Sequence, residues 1–203
     1  MKRCFRDLRL GMAGLLLLVA PLVQATTVIP PSFEELVARA DLVVDGEITA
    51  VRSELSERQG RPVVHTYITV EVLDVLKGSA PEPLELRMLG GTVGDLTMKI
   101  DGAPEFHVGD RDILFIVGNG QQFFPLVGIM HGLYRIVPRP DDGAEIVLRT
   151  SGEPLARPTD VQRPFAHATG PTDLSPAQAL AEAMTVDAFK QSIREEVRRA
   201  AVQ

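Results

Sequence analysis

The sequence predicts a mainly β domain, a small barrel closed or nearly closed, with a short helix before it and another helix after it. Three observations point there. Apolar and polar residues alternate at period two in several runs between residues 42 and 149. Gly, Pro, Asn and Asp punctuate those runs at short intervals, as in barrels and sandwiches. At both ends the period switches to that of an amphipathic helix.

Residues 1–25 read as an export signal. Lys2, Arg3, Arg6 and Arg9 precede an apolar run, Leu10 to Ala20, and Val23-Gln24-Ala25 supplies the small residues a signal peptidase reads. That run falls short of the roughly 20 residues needed to span a bilayer, and Pro21 interrupts it. Cleavage after Ala25 leaves a chain beginning Thr26-Thr27-Val28-Ile29-Pro30-Pro31, delivered to a periplasm or the cell exterior.

Ser32 and Glu35 then have the spacing of a capping box, and Phe33, Leu36, Val37 and Ala40 line one face of a short helix ended by Asp41. From Leu42 to about Glu54, Val44, Gly46, Ile48 and Ala50 alternate with Asp45, Glu47 and Thr49, a half-buried strand with a bulge or bend expected at Gly46. Leu55 to Pro62 is polar and reads as a hairpin loop. The next strand, Val63 to Val75, turns Val64, Thr66, Ile68, Val70 and Val72 to one side and stops at Lys77-Gly78. Leu84 to Leu89 alternates again. Gly90 to Asp110 is glycine-rich and irregular, with one minor strand near Leu96 to Ile100. Asp112 to Val117 predicts a central strand, Phe124 to Val137 one broken strand or two, and Glu145 to Arg149 a last strand after the Asp142-Gly143 turn.

The division that follows is a signal at 1–25, a barrel domain at 26–150, a Pro-rich linker at 151–174 and a C-terminal helical segment at 175–203. Pro154, Pro158, Pro164 and Pro171 mark the linker. Ser175 or Thr185 caps the final helical sequence, whose stripe is Val186, Phe189, Ile193 and Val197.

Composition excludes several functions. The whole chain carries a net charge of −6, and removal of the leader, net +3, leaves −9. An acidic surface without a basic cluster argues against nucleic acid as a partner. The single cysteine, Cys4, lies in the leader, so the exported chain has neither a disulfide nor a thiolate metal site. No cofactor is expected. No stable membrane span is expected once the signal is cleaved, because no second apolar stretch is long enough.

Chemistry-bearing motifs are sparse. His65, His107, His131 and His167 are nowhere near neighbours, so they lack the spacing of a metal site. Gly90-Gly91-Thr92-Val93-Gly94-Asp95 leads into an alternating stretch, whereas a phosphate-binding loop leads into a helix; positive-φ turns are the expectation there. No nucleophile elbow occurs, and no catalytic residues are expected. Tyr67, Phe115, Phe123, Phe124 and Tyr134 sit among apolar residues and read as core.

The order of features resembles the netrin-like module, specifically the inhibitory domain of the tissue inhibitors of metalloproteinases. The matching residues are Thr26-Thr27-Val28-Ile29-Pro30-Pro31, then Ala40 to Gly46, then Thr66-Tyr67 and Val75-Leu76-Lys77-Gly78. The resemblance covers about the first third of the exported chain and implies an OB-like barrel. It further implies that the Thr26 amine and carbonyl bind the zinc of a secreted protease while Thr27 enters its specificity pocket. An α-amino group with a pKa near 8 is partly neutral at physiological pH and able to coordinate metal. Thr26 and Val28 stand where that family has cysteines, so no disulfide pins the terminus.

The expected function is therefore an exported, non-enzymatic module that binds a protein partner, a secreted zinc protease being one such partner, through Thr26 to Pro31. Two alternatives stand beside it: a small metal-dependent hydrolase built on Asp95, His107, Asp110 and His131, and a structural component of the cell envelope.

Overall fold

The computed structural model describes residues 29–58, 60–164 and 175–202. The expected export signal at 1–25, and Thr26, Thr27, Val28 and His167, lie outside these. Helix α1 (Phe33–Arg39) begins at the expected capping box: Glu35 N donates to Ser32 Oγ at 3.1 Å, and Ser32 N donates to Glu35 Oε2 at 2.9 Å. Eight strands follow: β1 (Leu42–Arg58), β2 (Arg61–Lys77), β3 (Leu84–Leu89), β4 (Gly91–Val93), β5 (Leu96–Met98), β6 (Arg111–Ile116), β7 (Leu133–Pro138) and β8 (Glu145–Arg149). Two helices close the chain, α2 (Pro176–Ala181) and α3 (Val186–Ala200). Ser175 and Thr185 both act as caps, one for each helix.

The fold is mainly β, but the expected barrel is corrected: among the described residues the main sheet stays open. Its six strands are antiparallel in the order β3-β2-β1-β6-β7-β8, and β4 and β5 form a separate hairpin. Closure is unnecessary because loops satisfy both edges. Beside β3, Arg87 N donates to Asn119 Oδ1 at 3.2 Å, Asn119 Nδ2 to Glu85 O at 2.7 Å, and Leu89 N to the Phe123 carbonyl at 2.8 Å. Beside β8, Val147 N donates to Met184 O at 3.1 Å and Leu155 N to Val147 O at 3.0 Å.

Two boundaries also differ from expectation. The Leu55–Pro62 loop is strand almost throughout, since β1 reaches Arg58 and β2 begins at Arg61. Most side chains of this ribbon are polar and exposed, so the alternation that marks a strand is weak there. The 124–137 strand shrinks to β7, preceded by a 3-10 turn at Ile129–Gly132. The bend at Gly46 is present as a register shift between Asp45 and Gly46; a Cβ there would meet Glu71 O at 2.8 Å.

One face of the sheet carries α1 and α3. Phe189 of α3 sits among Phe33, Phe115 and Tyr134, with ring centroids 5.9, 6.3 and 5.2 Å away. Leu155 and Val161 join the same core. The division into barrel, linker and tail is thus not how the core is built: the C-terminal helix and part of the Pro-rich stretch complete it. The Lys77-Gly78 pair has a local reason. Lys77 Nζ donates to the carbonyls of Val37 (2.7 Å) and Ala38 (3.1 Å) at the end of α1, and a Cβ on Gly78 would meet Asp41 O at 2.4 Å.

Polar contacts fasten α3 to the sheet. Asp45 on β1 is fully buried; Arg111 grips both its oxygens at 2.9 Å, and Lys190 Nζ lies 2.8 Å from Oδ2. Lys190 and Arg194 also reach Asp74, each at 2.6 Å. Burial alone would raise the Asp45 carboxyl, but Arg111 and Lys190 outweigh it and hold the group below its ordinary value.

Candidate functional site

On the opposite face, β1, β2 and β3 form the floor of a cavity of about 710 Å³, roofed by the β4–β5 hairpin and walled by residues 99–107. Ile68, Met88 and Phe106 make the deep part apolar. The polar atoms on the floor are already occupied: Ser53 Oγ and Thr66 Oγ1 lie 3.0 Å apart, and Thr66 donates to the Gly90 carbonyl at 2.7 Å. Gly91 brings the roof down onto this hydroxyl pair. Its φ is 129°, and a Cβ there would lie 2.3 Å from Thr66 Oγ1 and 2.5 Å from Ser53 Oγ. Glycine is required by both backbone and space.

Large apolar side chains continue outward from the cavity. Val51 lines it and is partly in solvent. Leu55, more exposed, projects from the same side of β1 two residues past Ser53. On the hairpin, Leu96 is exposed and alternates in phase with the lining residue Met98, and Val108 is exposed beside the lining residue His107.

The 104–107 wall rests on a charged cluster. Asp110 Oδ2 accepts from His107 N at 2.9 Å, lies 3.2 Å from His107 Nδ1, and pairs with Arg135 Nη1. Arg135 Nη2 donates to the Glu105 carbonyl at 2.9 Å. Beneath them is Asp112, fully buried, whose two carboxylate oxygens have no hydrogen-bond partner; Arg135 Nε stands 3.5 Å from Oδ1. Burial, reinforced by the Asp110 charge and opposed by Arg135, pushes the Asp112 carboxyl up to about 7. Burial also favours the charge-free form of Asp110, but the His107 N–H and Arg135 prevail and keep its carboxyl below the ordinary value.

Of the residues expected to bind a partner, Thr26, Thr27 and Val28 lie outside the described residues. Ile29 is 85% exposed, Pro30 is half-buried and Pro31 is buried. The residues considered for a metal-dependent enzyme do not assemble. His107 and Asp110 meet, but Asp95 is at the exposed β4–β5 turn. His131 is buried, and burial together with the Arg149 charge lowers its imidazole to about 4. Among the described residues, no group of three or more His, Cys, Asp or Glu gathers to hold a metal. His65 lies on the exposed ribbon with Nδ1 3.1 Å from Ser56 Oγ, a pairing made by strand register that the loop reading hid. Gly90, Gly91 and Gly94 all adopt positive φ, as expected of that segment.

Sequence reasoning missed Asp112, Arg135 and the Ser53–Thr66 floor. A signal for Asp112 existed: it shares the parity of Leu114 and Ile116, so a carboxylate was due on an inward face. The chain matches no known protein-family profile and no curated protein. No helix among the described residues is long and apolar enough to cross a membrane.

Proposed function

We propose that the protein is an exported, non-enzymatic binding module that recognises a protein partner by taking apolar side chains of that partner into the cavity beneath the β4–β5 hairpin. Export is supported by the leader at 1–25. The carrying observation is the apolar depth of the cavity at Ile68, Met88 and Phe106, together with large apolar side chains, Val51, Leu55 and Leu96, left exposed on the strand and hairpin that frame it. A small-molecule site ends at its rim, whereas an apolar patch that spreads beyond the rim suits a macromolecular surface. Because the hydroxyls on the floor already bond to protein, an entering apolar group displaces no unpaired polar atom.

A displayed random-peptide library selected on the immobilised chain tests this reading. The expected result is enrichment of peptides with aliphatic or aromatic anchors that bind a cavity-filled Ser53→Phe variant at least tenfold more weakly. Equal binding to both proteins contradicts it.

A second reading is favoured by Ile29, a large apolar side chain held in solvent ahead of the buried Pro31. Here Thr26 to Pro31 of an OB-like, netrin-type module insert into the cleft of a secreted zinc protease, with the Thr26 amine on the metal. Protein starting at Thr26 should then inhibit such a protease, and one extra N-terminal Ala should abolish inhibition. Equal potency of the two forms, or none from either, rejects this reading.

A further inference from the structure

Asp112 is the place where the molecule departs most from the rule that buried polar groups are hydrogen-bonded. Its nearest cation cannot serve it fully. Arg135 Nε is beyond hydrogen-bond distance at 3.5 Å, because Nη1 is engaged by Asp110 and Nη2 by the Glu105 carbonyl. Those two engagements hold the wall of the cavity: Glu105 and His107 line it, and Asp110 also accepts from the His107 backbone N–H. The far end of the segment is anchored separately, with Gly109 N donating to Ile48 O and Ile48 N to Asp110 O, each at 2.8 Å.

We propose that Asp112, Arg135 and Asp110 form a proton-operated latch on the 104–107 wall, closed while Asp112 carries a proton and loosened when it ionises. With a neutral Asp112, the guanidinium is free to bridge Asp110 and Glu105. An ionised carboxylate buried without hydrogen bonds is strongly unfavourable. Relief comes as Arg135 turns toward Asp112, or as water enters, and either movement withdraws support from Glu105. Phe106, packed into the core beneath the wall, opposes the release, so the expected change is local loosening of the segment. The charged groups facing Asp112 are Arg135 from β7 and Asp110 from the segment before β6, with His107 behind Asp110; Gly46, its neighbour across β1, brings none. The latch takes the cavity of the proposed function as the thing it gates.

Hydrogen exchange of the hydrogen-bonded amides of Ala103 and His107, corrected for intrinsic rates and followed from pH 5 to 8.5 in the full chain, tests the latch. The expected result is a loss of protection of at least tenfold centred near pH 7. That loss should vanish in Asp112→Asn and persist in His107→Gln. No pH dependence in the unaltered chain, or the same dependence in Asp112→Asn, overturns the proposal, as does its disappearance in His107→Gln alone. Should Asp112→Asn fail to fold, the carboxyl-carbon shift of Asp112 in the unaltered chain decides: titration together with the exchange transition supports the latch, and titration below pH 5 overturns it. No ligand enters the measurement, so a cavity that captures no peptide sinks the binding reading and leaves the latch standing.

Discussion

Asp45 and Asp112 sit on neighbouring strands, one register step apart, both fully buried, on opposite faces of the sheet. Asp45 faces the helices and meets Arg111 and Lys190 at hydrogen-bond distance. Asp112 faces the cavity side and meets no donor at that distance. The same side chain is a fastening on one face and an unsatisfied charge on the other. The helix face is consistent at every level, with rings, caps and ion pairs agreeing. The cavity face carries its local conflicts at Asp112 and Gly91.

The contrast can be broken from either side. Phe189→Ala removes the ring shared by Phe33, Phe115 and Tyr134, and should cost about 5 kcal/mol in urea unfolding. Asp45→Ala leaves Arg111 and Lys190 facing a buried gap, an expected loss of about 4 kcal/mol by the same measurement. Both changes act on the whole fold.

Asp112→Asn should instead act through pH. The Asp112 carboxyl is raised from 3.8 to about 7 in the fold, so its favourable contribution is complete below about pH 4 and is lost as pH rises through 7. The stability of Asp112→Asn relative to the unaltered chain should therefore grow between pH 4 and pH 7, by on the order of 3 kcal/mol, and then level off. His131 works in the other direction. Its imidazole is lowered to about 4, so its contribution is present above 6.5 and lost as pH falls through 4. In the unaltered chain the two slopes largely offset one another, and the variant should expose the rising limb of His131, to which His65, its imidazole lowered by burial and by Arg87 and Arg58, adds. Asp45, held below its ordinary value, gives up its contribution only under more acidic conditions, below about pH 4.

Gly91→Ala sharpens the contrast with the smallest effect. Strained φ and the clash with Thr66 and Ser53 should cost about 1–2 kcal/mol. Faster amide exchange should be confined to β4 and β5, with the helix face unchanged.

Much of the helix face was legible in the sequence. Ser32 and Glu35 announce α1, Thr185 and the Phe189–Ile193 stripe announce α3, and alternation at β3, β-branched and aromatic content at β6 and the Asp142-Gly143 turn before β8 place those strands within a residue of where they lie. Local chemistry fixes those elements. What the sequence hid depends on distant chain segments. Loops such as 118–123 satisfy the edge of β3, so alternation alone could not distinguish an open sheet from a barrel. Leu155 and Val161 look like isolated apolar residues in a Pro-rich stretch until β8 is there to pair beside. The cavity was hidden for the same reason: Ser53, Thr66 and Gly91 meet only after β2 has returned along β1 and the hairpin has folded over both.

Carboxyl-carbon NMR of the chain, labelled at aspartate and titrated from pH 2 to pH 9, tests the contrast most directly because both residues report in one spectrum. Asp112 should titrate near pH 7, while Asp45 should titrate below the ordinary value of 3.8. Titration of both carboxyls together, in the ordinary range, would contradict the division of the sheet into a fastening face and a proton-responsive one.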